Sequence, residues 1–266
     1  MKFIKTLLVL LALVLTLGAC SAKKEAVVVK VGIIGESRAW TYVKEQAAKE
    51  NITIEIVAFT DYPQPNAALN AGELDLNAFQ HVIYLNKEIA AQNYKLTPIG
   101  KTIIAPMGLY SDKISSISEV KDGDIVVIPD DVTNGGRAIL LLEAQGLIEV
   151  DDAAGLIPGL KDITANPKNL DIKEVAATNI PQLLPDVAFA AINSGVAEDA
   201  GFIPTEDAFV LEQVTLTSDN PYINVIVART EDKDDETLLR IVELFQTDEV
   251  KQIILDDYNG SQIPVW

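Results

Sequence analysis

The sequence predicts an α/β protein of two lobes, on three observations. Short apolar, β-branched runs alternate with amphipathic helical stretches along the chain, the pattern of mostly parallel sheets with crossover helices. One order of elements (strand, polar turn, helix, strand, Pro-Gln helix, strand ending in Asn) occurs over residues 27–77 and again over 125–193. The chain has 266 residues, 48% of them apolar, which is enough for two modest cores.

The chain opens on an export signal. Lys2 and Lys5 precede an almost unbroken apolar run from Leu7 to Gly18, and Leu17-Gly18-Ala19 leads into Cys20, the only cysteine. Such a charged-then-apolar segment ending in small residues is a secretory leader and is too short for a comfortable membrane span. The cysteine directly after it resembles a bacterial lipobox, which implies cleavage before Cys20 and a thioether-linked lipid on its sulfur. Residues 1–19 are then signal peptide and residues 20–26 a short lipid-anchored tether. Without the leader the chain carries 19 basic and 39 acidic residues, a net charge of −20. That excess of acid argues against nucleic acid or anionic headgroups as partners.

Beyond the tether, residues 27–34 read as a buried strand. Ser37 caps a helix with Trp40, Val43 and Ala47 on one face. Strands follow at 52–59 and 74–79, separated by a short helix over 65–71 that Gly72 ends. A helix covers 82–93, a long extended run covers 99–111, and residues 125–129 form a strand. Thr133-Asn134-Gly135-Gly136 opens the next helix, which Gly146 terminates. Residues 150–170 are loop and short helix, 171–177 a strand, 180–184 a short helix and 187–192 a strand. Residues 222–229 are extended. Two amphipathic helices close the chain, marked by Leu238, Ile241, Val242 and Phe245, then by Val250, Ile253 and Ile254. The runs at 99–111 and 222–229 are the candidate crossings between lobes. This gives one lobe of residues 27–109 plus 226–266 and another of 110–225. Ligands of such sheets sit beyond the carboxyl ends of the strands, which here means between the lobes.

Three groups of side chains suit the parts of a free amino acid. Arg137 follows Asn134-Gly135-Gly136 in what reads as the first turn of a helix. A guanidinium beside free backbone N–H groups would hold a carboxylate there, and the glycines would let the ligand approach. Without an anion, an Arg at that end opposes the helix dipole. The alternative is a plain surface Arg behind a Gly-rich turn. Asn193 and Asn224 stand at strand positions that disfavour Asn, so each caps a turn or faces a ligand such as an ammonium. Tyr62, Phe79, His81 and Tyr84 cluster near strand ends and form an apolar, aromatic slot. Aromatic faces suit a thioether, at ~0.3–1.5 kcal/mol per sulfur contact. His81 is the only histidine; with a single cysteine it argues against a transition-metal site, and no cofactor is expected.

These segments resemble the methionine-binding lipoproteins of ABC importers, the NlpA lipoprotein family. The matching stretches are Phe59-Thr60-Asp61-Tyr62, Pro65-Asn66, Leu74 to His81, Asn134 to Ala138, Ala191-Ile192-Asn193 and Asn220 to Asn224. The resemblance implies a two-lobed, periplasmic-binding-protein-like fold of type II with the ligand cleft between lobes, and no enzymatic activity. It also implies roles. Arg137 would hold the ligand carboxylate with Asn134 nearby. Asn193 and Asn224 would hold the polar backbone atoms, and Tyr62, Phe79 and His81 would line the side-chain pocket. The implied partners are a membrane permease and its ATPase. Ser194-Gly195-Val196 departs from the family pattern beside a presumed contact. It leaves L-methionine, D-methionine, an oxidised form and a short methionine peptide all open.

Two other readings compete. Gly35-Glu36-Ser37-Arg38-Ala39 mimics the nucleophile elbow of a secreted hydrolase, but that fold needs a His late in the chain. An adhesive or structural lipoprotein with no small ligand is the other.

Overall fold

The computed structural model describes residues 26–266. The leader, Cys20 and nearly all of the tether lie outside them. Two mixed sheets carry the fold. The first sheet contains β1 (Val27–Ile34), β2 (Ile52–Phe59), β3 (Leu76–His81), β4 (Leu96–Ile104), β12 (Ile223–Arg229) and β13 (Ile263–Pro264) in the order β13-β4-β12-β3-β1-β2. The second contains β5 (Met107–Tyr110), β6 (Ile125–Pro129), β9 (Asp171–Val175), β10 (Phe189–Asn193) and β11 (Val210–Leu211) in the order β11-β5-β10-β6-β9. A small ribbon pairs β7 (Glu149–Val150) with β8 (Ile163–Ala165).

The repeat read from the sequence has a spatial counterpart. In the first sheet β1 lies between β2 and β3, parallel to both. In the second, β6 lies between β9 and β10, parallel to both. An antiparallel strand then flanks each trio, β12 beside β3 and β5 beside β10. The sheets are therefore mixed rather than mostly parallel. Each lobe receives a strand that arrives from the other one, and such a strand runs against its neighbours.

The helices sit where their apolar faces predict. Helix α1 (Arg38–Ala48) is capped by Ser37 and buries Trp40, Val43 and Ala47. Helices α7 (Glu236–Phe245) and α8 (Asp248–Asp257) bury Leu238, Ile241, Val242, Phe245, Val250 and Ile254 on the same face of the first sheet. Trp40 and Phe245 meet there at 4.9 Å between ring centroids. Strand alternation decides which core each residue joins. Ile226 and Ala228 of β12 face that helical layer, while Val225 and Val227 face the core beneath α2 (Pro63–Asn70) and α3 (Val82–Gln92). Apolar clusters lie on both faces of the first sheet, which is why its inner strands β1 and β12 read as nearly continuous apolar runs.

Several boundaries differ from the sequence reading. The extended run 99–111 is two strands in different sheets, broken at Ala105-Pro106, so the chain changes lobe there rather than at 109/110. Residues 222–229 are not a crossing. They are the central strand β12, and the return to the first lobe is made within 212–222. The strand expected at 74–79 runs from Leu76 to His81, because β12 extends its pairing to His81 opposite Asn224. The helix expected at 180–184 is a 3-10 segment, Ala177–Leu183. Two short helices escaped the sequence reading, α5 (Ser194–Asp199) and α6 (Pro204–Asp207).

The larger correction concerns helix α4 (Val132–Ala144). Its N-cap is Asp131, whose carboxylate accepts the backbone N–H groups of Thr133 and Asn134; the N–H of Gly135 reaches the Asp131 carbonyl. The amides of Thr133, Asn134 and Gly135 are thus already bonded and are not free for a ligand. Arg137 falls in the second turn, not the first. The glycines serve packing instead of ligand approach. A Cβ on Gly135 would stand 2.7 Å from the Pro129 carbonyl oxygen, and one on Gly136 would stand 2.8 Å from the Ile157 Cα. Gly-to-Ala inside a helix ordinarily stabilises by about 1 kcal/mol. Here backbone cannot yield, so Gly135→Ala should instead destabilise by about 1–3 kcal/mol in urea unfolding. A stabilised variant would show that α4 can move off β6.

Candidate ligand-binding site

The parallel trios point their carboxyl ends at one another, and a cavity of about 410 Å³ lies between them. The seven residues to which the resemblance gives roles line it, Tyr62, Phe79, His81, Asn134, Arg137, Asn193 and Asn224, and so does Tyr84. His81 and Asn193 hold equivalent places, each the last residue of its strand and the N-cap of the helix that follows. Arg137 and Asn134 come from α4, directly after β6.

Arg137 is buried, with 3% of its surface exposed, so it is no surface Arg. A guanidinium in such a place costs several kcal/mol unless it is paired and hydrogen-bonded. Its Nε donates to both carboxylate oxygens of Glu212 at 3.0 Å, and Nη2 donates to Glu212 Oε2 at 2.5 Å and to the Ala105 carbonyl at 2.9 Å. The Tyr222 ring covers one face, 4.2 Å from the guanidinium carbon. Nη1 has no bond to another described residue. Glu212, Ala105 and Tyr222 all lie on the two segments that pass between lobes, and none was singled out from the sequence. Tyr222 stood inside a family-like stretch. Glu212 carried no signal, because it follows a two-residue strand in an acidic chain.

A chain of amides continues from there. Asn134 Oδ1 accepts from Asn193 Nδ2 at 2.7 Å and lies 3.2 Å from His81 Nε2. Asn134 Nδ2 donates to Asp131 Oδ2. His81 Nδ1 accepts the Tyr84 N–H at 3.1 Å, so Nε2 carries the proton and donates to Asn134. Burial, reinforced by Arg137, lowers the His81 pKa to about 3 and keeps the ring neutral. Asn193 Oδ1 is buried with no partner among the described residues. Among the described residues the Asn224 side-chain amide has a single long 3.5 Å contact, to the Tyr222 carbonyl.

The slot beside this network is aromatic. Tyr62 and Phe79 lie 6.1 Å apart, and Tyr84 meets both edge-on at 6.1 and 6.0 Å. Burial pushes the Tyr62 phenol up, so it stays neutral. Tyr62 also packs against the second lobe's Tyr110–Ile192 cluster and so bridges the lobes.

Ser37 lines the far side of the same cavity, as the cap of α1, accepting the Trp40 N–H. The nucleophile reading fails on geometry. Both nitrogens of His81, the only histidine, are engaged elsewhere, and no imidazole faces Ser37. Near Ser37 the lobes are joined by Glu198 of α5, which accepts Ser261 Oγ at 2.6 Å and Gln262 Nε2 at 2.5 Å from the C-terminal segment.

Two facing α/β sheets with a shared cleft and a polar end opposite an aromatic one define a two-lobed binding protein. The chain belongs to the NlpA lipoprotein family, whose model matches residues 29–266. It is 43% identical over 255 residues to Outer membrane lipoprotein 3 of Mannheimia haemolytica, covering 95% of each chain. It is 41% identical over 258 residues to the D-methionine-binding lipoprotein MetQ of Salmonella typhimurium, covering 95% of this chain and 94% of the relative. A nutrient-binding protein from Burkholderia cenocepacia solved bound to methionine superposes with a TM-score of 0.86 at 38% identity, covering 90% of this chain and 100% of the other.

Burial raises the Glu198 pKa to about 7, against the lowering effect of its bonds to Ser261 and Gln262. The folded protein then holds a proton that the unfolded chain releases near pH 4.5. Its contribution is full below that pH and is lost as the pH rises towards 7. The slope is at most about 1.4 kcal/mol per pH unit. His81 has the opposite sign: its contribution is present above pH 6.5 and lost as the pH falls towards about 3. Glu198→Gln should therefore remove a fall in stability between pH 5 and 7, measured by denaturant unfolding. An identical pH profile would show that Glu198 is not buried against the C-terminal segment.

Proposed function

We propose that this protein captures methionine or a close relative between its lobes and delivers it, without chemistry, to an ABC permease and its ATPase, while held by lipid on Cys20 at the extracytoplasmic face of a membrane. The observation that carries the reading is a pair of unsatisfied groups on one cavity wall. Among the described residues Nη1 of Arg137 meets no hydrogen-bond acceptor, and Asn193 Oδ1 is a buried acceptor with no donor. A zwitterion supplies both complements, its carboxylate to Nη1 and its ammonium to Asn193. An unbranched thioether suits the slot of Tyr62, Phe79 and His81. Asn224 stands ready as a further acceptor, while Asn134 and His81 act mainly by orienting Asn193.

The names of the relatives support the same ligand class. Salmonella MetQ is named for D-methionine, and the Burkholderia protein was solved with methionine. The lipid anchor fits the family and the Cys20 motif. Among the described residues no helix is long and apolar enough to cross a membrane.

Calorimetry on protein freed of co-purified ligand tests this directly. L-methionine, D-methionine, methionine sulfoxide and a glycyl-methionine dipeptide form the panel. At least one should bind, and lack of binding by all four would sink the proposal. Asn193→Ala should weaken that ligand by about tenfold to a hundredfold, the effect of stranding one charged donor. Arg137→Ala should abolish binding and also lower stability, because Glu212 then loses its cation. Near-normal affinity in Arg137→Ala would place the carboxylate elsewhere.

A further inference from the structure

We infer that Glu212 is a specificity-determining residue of this cavity: by occupying one edge of Arg137 it cancels the site's positive charge and makes it select a zwitterion over a ligand of net negative charge. The inference rests on the amino-acid reading above.

The geometry fixes Glu212 firmly. Its carboxylate spans Nε and Nη2 of Arg137 and also accepts the Met107 N–H at 2.9 Å, while its own N–H donates to the Met107 carbonyl at 2.9 Å. This reciprocal clasp at the end of β11 leaves the carboxylate little room to swing away. Its side chain keeps only 17% exposure. The bidentate edge, which a ligand carboxylate would otherwise take, is therefore already filled. With the Ala105 carbonyl on Nη2 and the Tyr222 ring on one face, only Nη1 remains for a guest.

Charge completes the argument. Among the described residues Arg137 is the only basic side chain lining the cavity, and His81 is held neutral. The other ionisable groups along the walls include Glu36, Glu198, Asp199 and Asp257, all acidic. Asp131, behind Asn134, is spent on the cap of α4. Once Glu212 is counted against Arg137, no uncompensated positive charge faces the guest. A zwitterion adds no net charge to such a site. A carboxylate lacking the ammonium adds an unbalanced negative charge a few ångströms from Glu212.

Two ligands separate this from a merely structural role: L-methionine, and 4-(methylthio)butanoate, which is methionine with hydrogen in place of the ammonium. Both present the same carboxylate and thioether, so a loosened Arg137 weakens both, and their ratio of dissociation constants reports charge selection. Removing one unit charge at an effective dielectric of about 20 should narrow that ratio by about tenfold or more in Glu212→Gln. Glu212→Ala is the second neutral variant, should the glutamine fail to fold, and should narrow it equally. Glu212→Asp keeps the charge, so its ratio should stay within about threefold of the wild type even if both affinities fall. Methionine binding with a ratio unchanged in the neutral variants overturns this inference alone. A wild-type protein that binds none of the four ligands of the panel above overturns the amino-acid reading and this inference with it.

Discussion

A guanidinium has been placed where water scarcely reaches, and much of the site follows from how its cost is offset. Arg137 stands on the helix after β6, inside the second lobe, yet its partners come from both segments that join the lobes: Ala105 on the way out, Glu212 and Tyr222 on the way back. A buried cation of this kind is tolerable only with near-complete hydrogen bonding. The bonds that satisfy it also tie the crossings together at one point. One buried side chain on the cavity wall is thereby the point to which both segments between the lobes are fastened.

From that point a single file of polar atoms runs across the cleft. Asp131 holds Asn134, Asn134 receives His81 and Asn193, and Asn193 ends with a free acceptor. Each member uses its remaining capacity to fix the next, so the one unpaired oxygen has a defined place. His81 belongs to this file as a neutral donor and as the cap of α3, which explains why a lone histidine can matter without ligating a metal or moving a proton. The aromatic slot lies beside the file, so the cleft is polar where an amino acid's backbone would sit and apolar where its side chain would.

The doubled trio of parallel strands explains why so few positions suffice. Cavities in such sheets form past the carboxyl ends of the strands. Two copies face to face bring the terminal residues of β3 and β10 together across one gap, and His81 and Asn193 are those residues. The antiparallel strands β5 and β12, each the strand that follows a crossing, flank the two trios, and β12 sets Asn224 on the cavity wall. Much of this was legible beforehand, because strand ends and helix starts announce themselves through apolar runs followed by Asn, His or Ser. The local chemistry of α4 was less legible. Asn134-Gly135-Gly136 has the look of an anion loop, but Asp131 takes its amides and the glycines exist so that backbone can pass close. A Gly-rich helix start is written alike for either purpose.

The resemblance of its motifs to a known family pointed to the seven side chains that line one cavity, while the sequence by itself determined the alternation of strands and helices, the faces each helix buries and the repeat of order between lobes. These are matters of local spacing: a period of two or of 3.6 and the residues that punctuate it. Only the tertiary structure decided what those side chains can still do. Glu212 lies 75 residues from Arg137, and no local pattern links a carboxylate after a two-residue strand to a helix so far upstream. Whether a guanidinium offers a guest two edges or one depends on which distant groups have reached it first, and that is settled by packing.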